Sequence, residues 1–249
     1  MLDLRSMLSA VPARRGPAPW RGYEHVKGWG VFALPFDSGH VLALRVAPES
    51  DFGPFRTIWH RDPSGRWSIY VDADRLDIAC PRYFGAACEY TGHARIEVAW
   101  TGPATLRVTM DHPRLDWVFT ASSSRLIDLL NAIGGVLPLA TWRSAVVLRA
   151  RESLASALGL GRLQLRGAMP SGHTGTLMPE RFFFIERAEA SIDGIDLGRP
   201  IHLNDNPRIG EFPLPTRGAL VIGQAMWEIL DEVEYQRTLR ASLDAAAGA

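Results

Sequence analysis

A chain of 249 residues, 47% of them hydrophobic, can bury its own core without disulfides or metals, and one β-rich domain over 1–249 is expected. Its 27 basic and 27 acidic side chains cancel with no basic block, which excludes nucleic acid as the main partner. Two cysteines make no disulfide framework, and residues 1–12 carry Asp3 and Arg5 rather than a leader's apolar run. No stretch reaches the roughly 18 uncharged apolar residues of a membrane span, so a cytoplasmic protein without a membrane partner is expected.

Residues 13–22, broken by glycines and prolines, read as an extended arm. Strands are predicted over 30–36 and 40–48, joined by Asp37-Ser38-Gly39, and over 55–61 and 66–73, joined by Asp62-Pro63-Ser64-Gly65. From His93 to Ala121 the alternation predicts three consecutive antiparallel strands, with Ile96, Val98 and Trp100 on one face. The period then becomes helical. Helices are expected within 123–135, capped by Ser122 to Ser124, and within 143–158, stopped by Gly159. Strands resume over 162–169, 181–193 and 218–224, and 225–245 reads as a closing helix facing the body through Met226, Ile229, Leu230 and Val233. A mainly β (α+β) fold follows: an antiparallel β-barrel or sandwich with a central helical insert and a C-terminal helix.

No nucleophile elbow, phosphate loop, zinc-helix motif or paired-cysteine knuckle is present. The densest unusual segment is 77–90, where Arg82, Tyr83, Cys88 and Glu89 crowd around Pro81 and Gly85. It suits a close approach to a ligand, or an irregular connection whose cysteines are small buried hydrophobes. Cys80, Cys88 and His93 have no metal-ligand spacing, so no metal and no cofactor are expected. His173, between Gly172 and Gly175, suits a polar tip or base at a pocket mouth, or a solvated hairpin. His60 and Trp59 on the 55–61 strand suit a pocket wall or plain core. Tryptophans on strands would make an apolar cavity if they lined a barrel.

Several short words carry a family resemblance. Pro17-Ala18-Pro19-Trp20, Gly22-Tyr23, Phe52-Gly53-Pro54-Phe55, Ile69-Tyr70-Val71-Asp72 and the turn from Arg82 to Glu89 together resemble the acetoacetate decarboxylase-like superfamily. The resemblance implies a β-rich pocket for a small keto acid and a lysine in that turn forming an imine with the substrate. Here that position holds Cys88, the family's glutamate after its Gly-Pro-Tyr is missing, and Tyr83 replaces the one after its arginine. The only lysine is Lys27, placed by Gly28 and Gly30 in a mobile approach to the first strand, so no imine chemistry is expected.

The chain therefore reads as a pocket protein for a small organic molecule. One form is a non-decarboxylating lyase, hydratase or cyclase, with Arg82 as anion clamp, Glu89 as acid or base, Cys88 as wall or nucleophile and His60 as second proton carrier. Trp59, Tyr83 and His173 then contact the ligand. The other form is a non-enzymatic, calycin-like carrier or sensor of an apolar ligand. A structural or homo-oligomerising domain is the third. Inward-facing Arg, Glu and His favour the enzyme and an apolar cavity favours the carrier. At least two of Arg82, Glu89, His60 and Trp59 are expected to line one cavity.

Overall fold

The computed structural model describes residues 2–9 and 13–247, so part of the 1–12 segment read above lies outside the described residues. After a short helix α1 (Leu4–Ser9), ten strands carry the fold: β1 (Tyr23–Val31), β2 (Val41–Ser50), β3 (Phe55–Arg61), β4 (Trp67–Asp72), β5 (Tyr90–His93), β6 (Ile96–Trp100), β7 (Thr105–Met110), β8 (Leu115–Ser122), β9 (Thr174–Ile192) and β10 (Ala219–Glu228). They run in the order β5-β4-β3-β2-β1-β10-β9-β8-β7-β6. Only the β4–β5 pairing is parallel; all others on this path are antiparallel. Strand outweighs helix, 41% to 25%, and the sheet curls into a half-barrel.

The expected turn between β3 and β4 forms as read: Gly65 has φ +91° and its N–H donates to Asp62 O at 2.9 Å. The three-strand meander β6-β7-β8 is present, and Ile96, Val98 and Trp100 join one apolar cluster. The two ends of the path, β5 and β6, are consecutive in the chain. Arg56 Nη1 donates to Ile96 O at 3.0 Å, and Asp72 Oδ2 accepts from Ile96 N at 3.4 Å, so side chains of β3 and β4 hold the seam where the curl comes round.

Both faces of the sheet are covered over β2 to β4, while the outer face of β6 to β8 is open to solvent. The largest apolar cluster takes Leu42, Leu44 and Ile58 from one half of the path and Val108, Trp117, Phe119 and Phe183 from the other, so it fills the concave interior. Their alternates, Ala43, Ala47, Trp59, Ile69 and Val71, belong to a second cluster on the outer face with Tyr83, Phe84, Phe212 and Trp227. This outer layer is made by α2 (Pro81–Phe84), the turns around it, and the loop from 200 to 216.

The helical insert is α3 (Arg125–Val136), capped by Ser124, and α4 (Ala145–Ala157), capped by Ser144 and followed by Gly159 at φ +79°. The last part differs from the sequence reading. Residues 219–228 are β10, central in the sheet, and α5 (Glu232–Ala247) starts only after them. Met226 is a buried strand residue, while Leu230 and Val233 are exposed. A run of small and apolar residues at a chain end fits a helical stripe, but the sheet supplies two partner strands for it, and the ladder wins. Of the strand expected over 162–169, only Arg166–Ala168 pairs, against β9. Lys27 is held mid-strand in β1, opposite Gln224 and Glu49, rather than in a mobile approach.

Candidate functional site

A cavity of about 90 Å³ lies on the outer face, floored by β1, β2, β9 and β10 and roofed by Tyr83, Phe84, Phe212 and Leu214. At about 30 Å³ per water, the share each has in the liquid, it has room for roughly three waters. Gly28 and Gly223 line the floor where neighbouring backbones come close: a Cβ on Gly28 would stand 2.0 Å from Val46 O, and one on Gly223 2.1 Å from Met178 O, so neither position takes a side chain. The walls are apolar apart from Arg45, Cys80, Tyr83 and Gln224.

Arg45 sets the electrostatics. It sits in the middle of β2, with its guanidinium 4.1 Å from the Phe32 ring centre and 4.6 Å from that of Trp59. Nη1 donates to Val31 O at 2.7 Å and Leu44 O at 3.0 Å, and Nη2 to Phe32 O at 3.3 Å. These bonds leave Nε–H and one Nη2–H, donors on adjacent nitrogens. Among the described residues no carboxylate pairs with Arg45. Burial pulls its pKa down to about 10, with Cys80 opposing, so the charge persists at neutral pH without a counter-ion. Beside it, Trp59 Nε1 donates to Thr57 Oγ1 at 3.1 Å, and Thr57 Oγ1 donates to Cys80 Sγ at 3.3 Å. Burial raises the Cys80 thiol, which is therefore a neutral wall group.

Behind the roof lies a buried polar network. Arg82 grips Glu24 through two bonds, Nε to Oε2 at 2.8 Å and Nη2 to Oε1 at 2.6 Å, and Tyr83 Oη donates to Glu24 Oε2 at 2.5 Å. Tyr83 stacks on Trp227 with ring centres 3.8 Å apart, so one face of this network is the cavity wall. Burial, followed by the Glu24 charge, pushes the Tyr83 phenol well above its ordinary value.

Of Arg82, Glu89, His60 and Trp59, expected to share a cavity, only Trp59 lines it; Tyr83 lines it too. Arg82 spends its fork on Glu24 and does not face the cavity. Glu89 is an exposed side chain 3.3 Å from Arg66. Cys88 turns its thiol back to Phe84 O at 3.5 Å, and burial pushes that thiol up to about 12. His60 stacks on His40, with Nδ1 of His40 2.8 Å from Nε2 of His60. Burial and then the neighbouring His40 pull His60 down to about 4. His173 is buried, not on a solvated hairpin; its Nδ1 lies 2.8 Å from Ser171 Oγ and its ring stands edge-on to Tyr83. Arg45 was missed, although its signal was readable: one arginine inside the apolar run of 40–48.

Among the described residues no three His, Cys, Asp or Glu side chains are placed to hold a metal ion, and no helix is long and apolar enough to cross a membrane. Fold and site together define a curled β half-barrel with an apolar, arginine-bearing cavity on its outer face. No family model, no curated protein and no solved structure matches the chain.

Proposed function

We propose that this chain is a non-enzymatic carrier or sensor that binds a small apolar carboxylate in the outer-face cavity, with Arg45 as its anion clamp. The supporting observation is the guanidinium itself: charged, without a carboxylate partner, and set in a wall of aromatic and aliphatic side chains. A half-buried charge with no carboxylate partner among the described residues is costly, and an incoming carboxylate offsets that cost with two charge-assisted bonds. The aromatic pair Trp59 and Phe32 fixes the plane of the fork, so the ligand meets a preset geometry.

A lyase or hydratase in the same pocket needs a proton carrier at the ligand. Glu89, His60 and Cys88 stand elsewhere, Cys80 is a raised thiol, and the Tyr83 proton is committed to Glu24. Lys27 follows Val26 and precedes Gly28, which line the cavity, and alternation turns it to the other face, away from any imine. From the acetoacetate decarboxylase-like resemblance this reading keeps the pocket for an organic acid and drops the chemistry.

Titration calorimetry with phenylacetate tests it. Wild-type protein should bind, and Arg45→Met should lose roughly tenfold or more of the affinity, the value of a charge-assisted pair. Methyl phenylacetate should bind no better than the Arg45→Met variant binds the acid. Equal binding of acid and ester, or full affinity in Arg45→Met, would sink the proposal.

A further inference from the structure

A second cavity, of about 200 Å³, lies between the sheet and the helical insert, lined by Leu130 and Ile133 of α3 and Leu154, Ala155 and Leu158 near α4. Phe32, Leu177, Pro179, Phe212 and Val221 line both cavities, so one thin apolar wall separates them. Phe32 is the ring beneath the Arg45 guanidinium. The clamp therefore stands at the junction and not at the far end of a closed pocket.

We infer that the carboxylate held by Arg45 is the head of a chain carboxylic acid whose alkyl tail passes Phe32 into the cavity under α3 and α4. This rests on the reading of Arg45 given above and extends it to the substrate class. Capacity supports a long tail: at about 30 Å³ per water the second cavity has room for roughly seven waters, against roughly three in the first. Polarity supports the direction. Glu180 lines the second cavity and accepts from Gln224 Nε2 at 2.6 Å, so a carboxylate placed there would meet like charge. Arg151 also lines it, its guanidinium 3.6 Å from the Trp142 ring centre and its Nη2 buried without a hydrogen-bond partner among the described residues, so the loss of both acids in Arg45→Met is what assigns the head to Arg45 rather than to Arg151. The mouth is apolar as well: Ile133, Leu137 and Leu154 line the cavity while remaining 49%, 39% and 40% exposed. A chain lying between the helices covers them, which accounts for apolar groups otherwise left in water.

Calorimetry with butanoate, decanoate and decanol separates head from tail. Decanoate should bind wild-type protein at least tenfold more tightly than butanoate, and more tightly than decanol. Ala155→Trp, which fills the second cavity from α4, should abolish the decanoate advantage and leave butanoate unchanged. Leu130→Trp fills the same space from α3 and serves if the first variant does not fold. Arg45→Met should weaken both acids. If the filled variants keep full decanoate affinity while Arg45→Met loses it, the tail inference is overturned and the carboxylate pocket stands. If Arg45→Met binds both acids as wild type does, the carboxylate pocket itself fails.

Discussion

Asp51 shows how much of this molecule's charge is decided by burial. It is buried at the start of the turn after β2, accepts from Tyr235 Oη at 3.0 Å, and has no partner on Oδ1 among the described residues. Burial is the largest influence and, together with the nearby Glu24, pushes its pKa up to about 7 against the Tyr235 bond. A carboxyl whose folded value lies above its ordinary 3.8 holds a proton that the unfolded chain has released. Its contribution is therefore fully present below about 4 and is lost as pH rises through about 7. Asp51→Asn keeps an acceptor for Tyr235 and removes the titration. Urea denaturation at pH 5 and pH 8 should show the variant losing less stability than wild type across that interval. The difference over that interval is bounded at about 3 kcal/mol, from about 1.4 kcal/mol per tenfold change in proton affinity between pH 5 and about 7. An identical pH slope in both proteins would contradict the burial argument.

At the scale of elements, the insert is tied down by one side chain. Asn131, buried on α3, donates through Nδ2 to Phe182 O and accepts through Oδ1 from Phe182 N, both at 2.9 Å. That pair completes the backbone of β9 where its pairing with β10 shifts register, between Pro179 and Arg181. Around it the helix is amphipathic the unusual way: Ile127 and Asn131 face in, while Leu126, Leu129, Ile133 and Val136 are exposed. With so little apolar burial on the inner face, the amide bonds carry much of the docking. Asn131→Leu leaves the Phe182 N–H and C=O unpaired and should destabilise the protein by about 2–3 kcal/mol. Hydrogen exchange should show α3 losing protection before β8 and β9 do. Uniform loss across the whole chain, or none, would argue against a locally docked insert.

At the scale of the molecule, one sheet path connects residue 23 to residue 228 without a break, and both apolar layers are built on it. The N-terminal arm and α5 are joined as well, since Arg15 donates to Ser242 Oγ at 2.7 Å and to Ser242 O at 2.5 Å. No strand can leave without opening a ladder and a core layer together. A single cooperative unfolding transition is therefore expected, with calorimetric and van't Hoff enthalpies equal. Two resolved transitions would show that the helical insert or one half of the path folds by itself, against the single domain read from the composition.

The strands, turns and caps were legible in the sequence because their causes are local. Alternation gave the meander of β6 to β8, Asp62 to Gly65 gave the turn between β3 and β4, and Ser124 and Gly159 bounded the inserted helices, while the Ser144 cap of α4 emerged only in the fold. Which face would hold a cavity was not legible. Trp117 fills the concave interior while Trp59 lines the outer cavity, and both sit on strands of similar pattern. Residues 225–228, read as the start of the closing helix, instead extend the strand expected over 218–224 because β1 and β9, distant in the chain, flank them. The site moved for the same reason. Arg82, Glu89 and Cys88 are adjacent in sequence to Tyr83, yet one is clasped by Glu24, one reaches solvent and one turns back on Phe84. Arg45 comes to face the cavity only because β2 lies between covering layers, and its half-buried place without a carboxylate partner among the described residues is a property of the packed molecule, not of any segment.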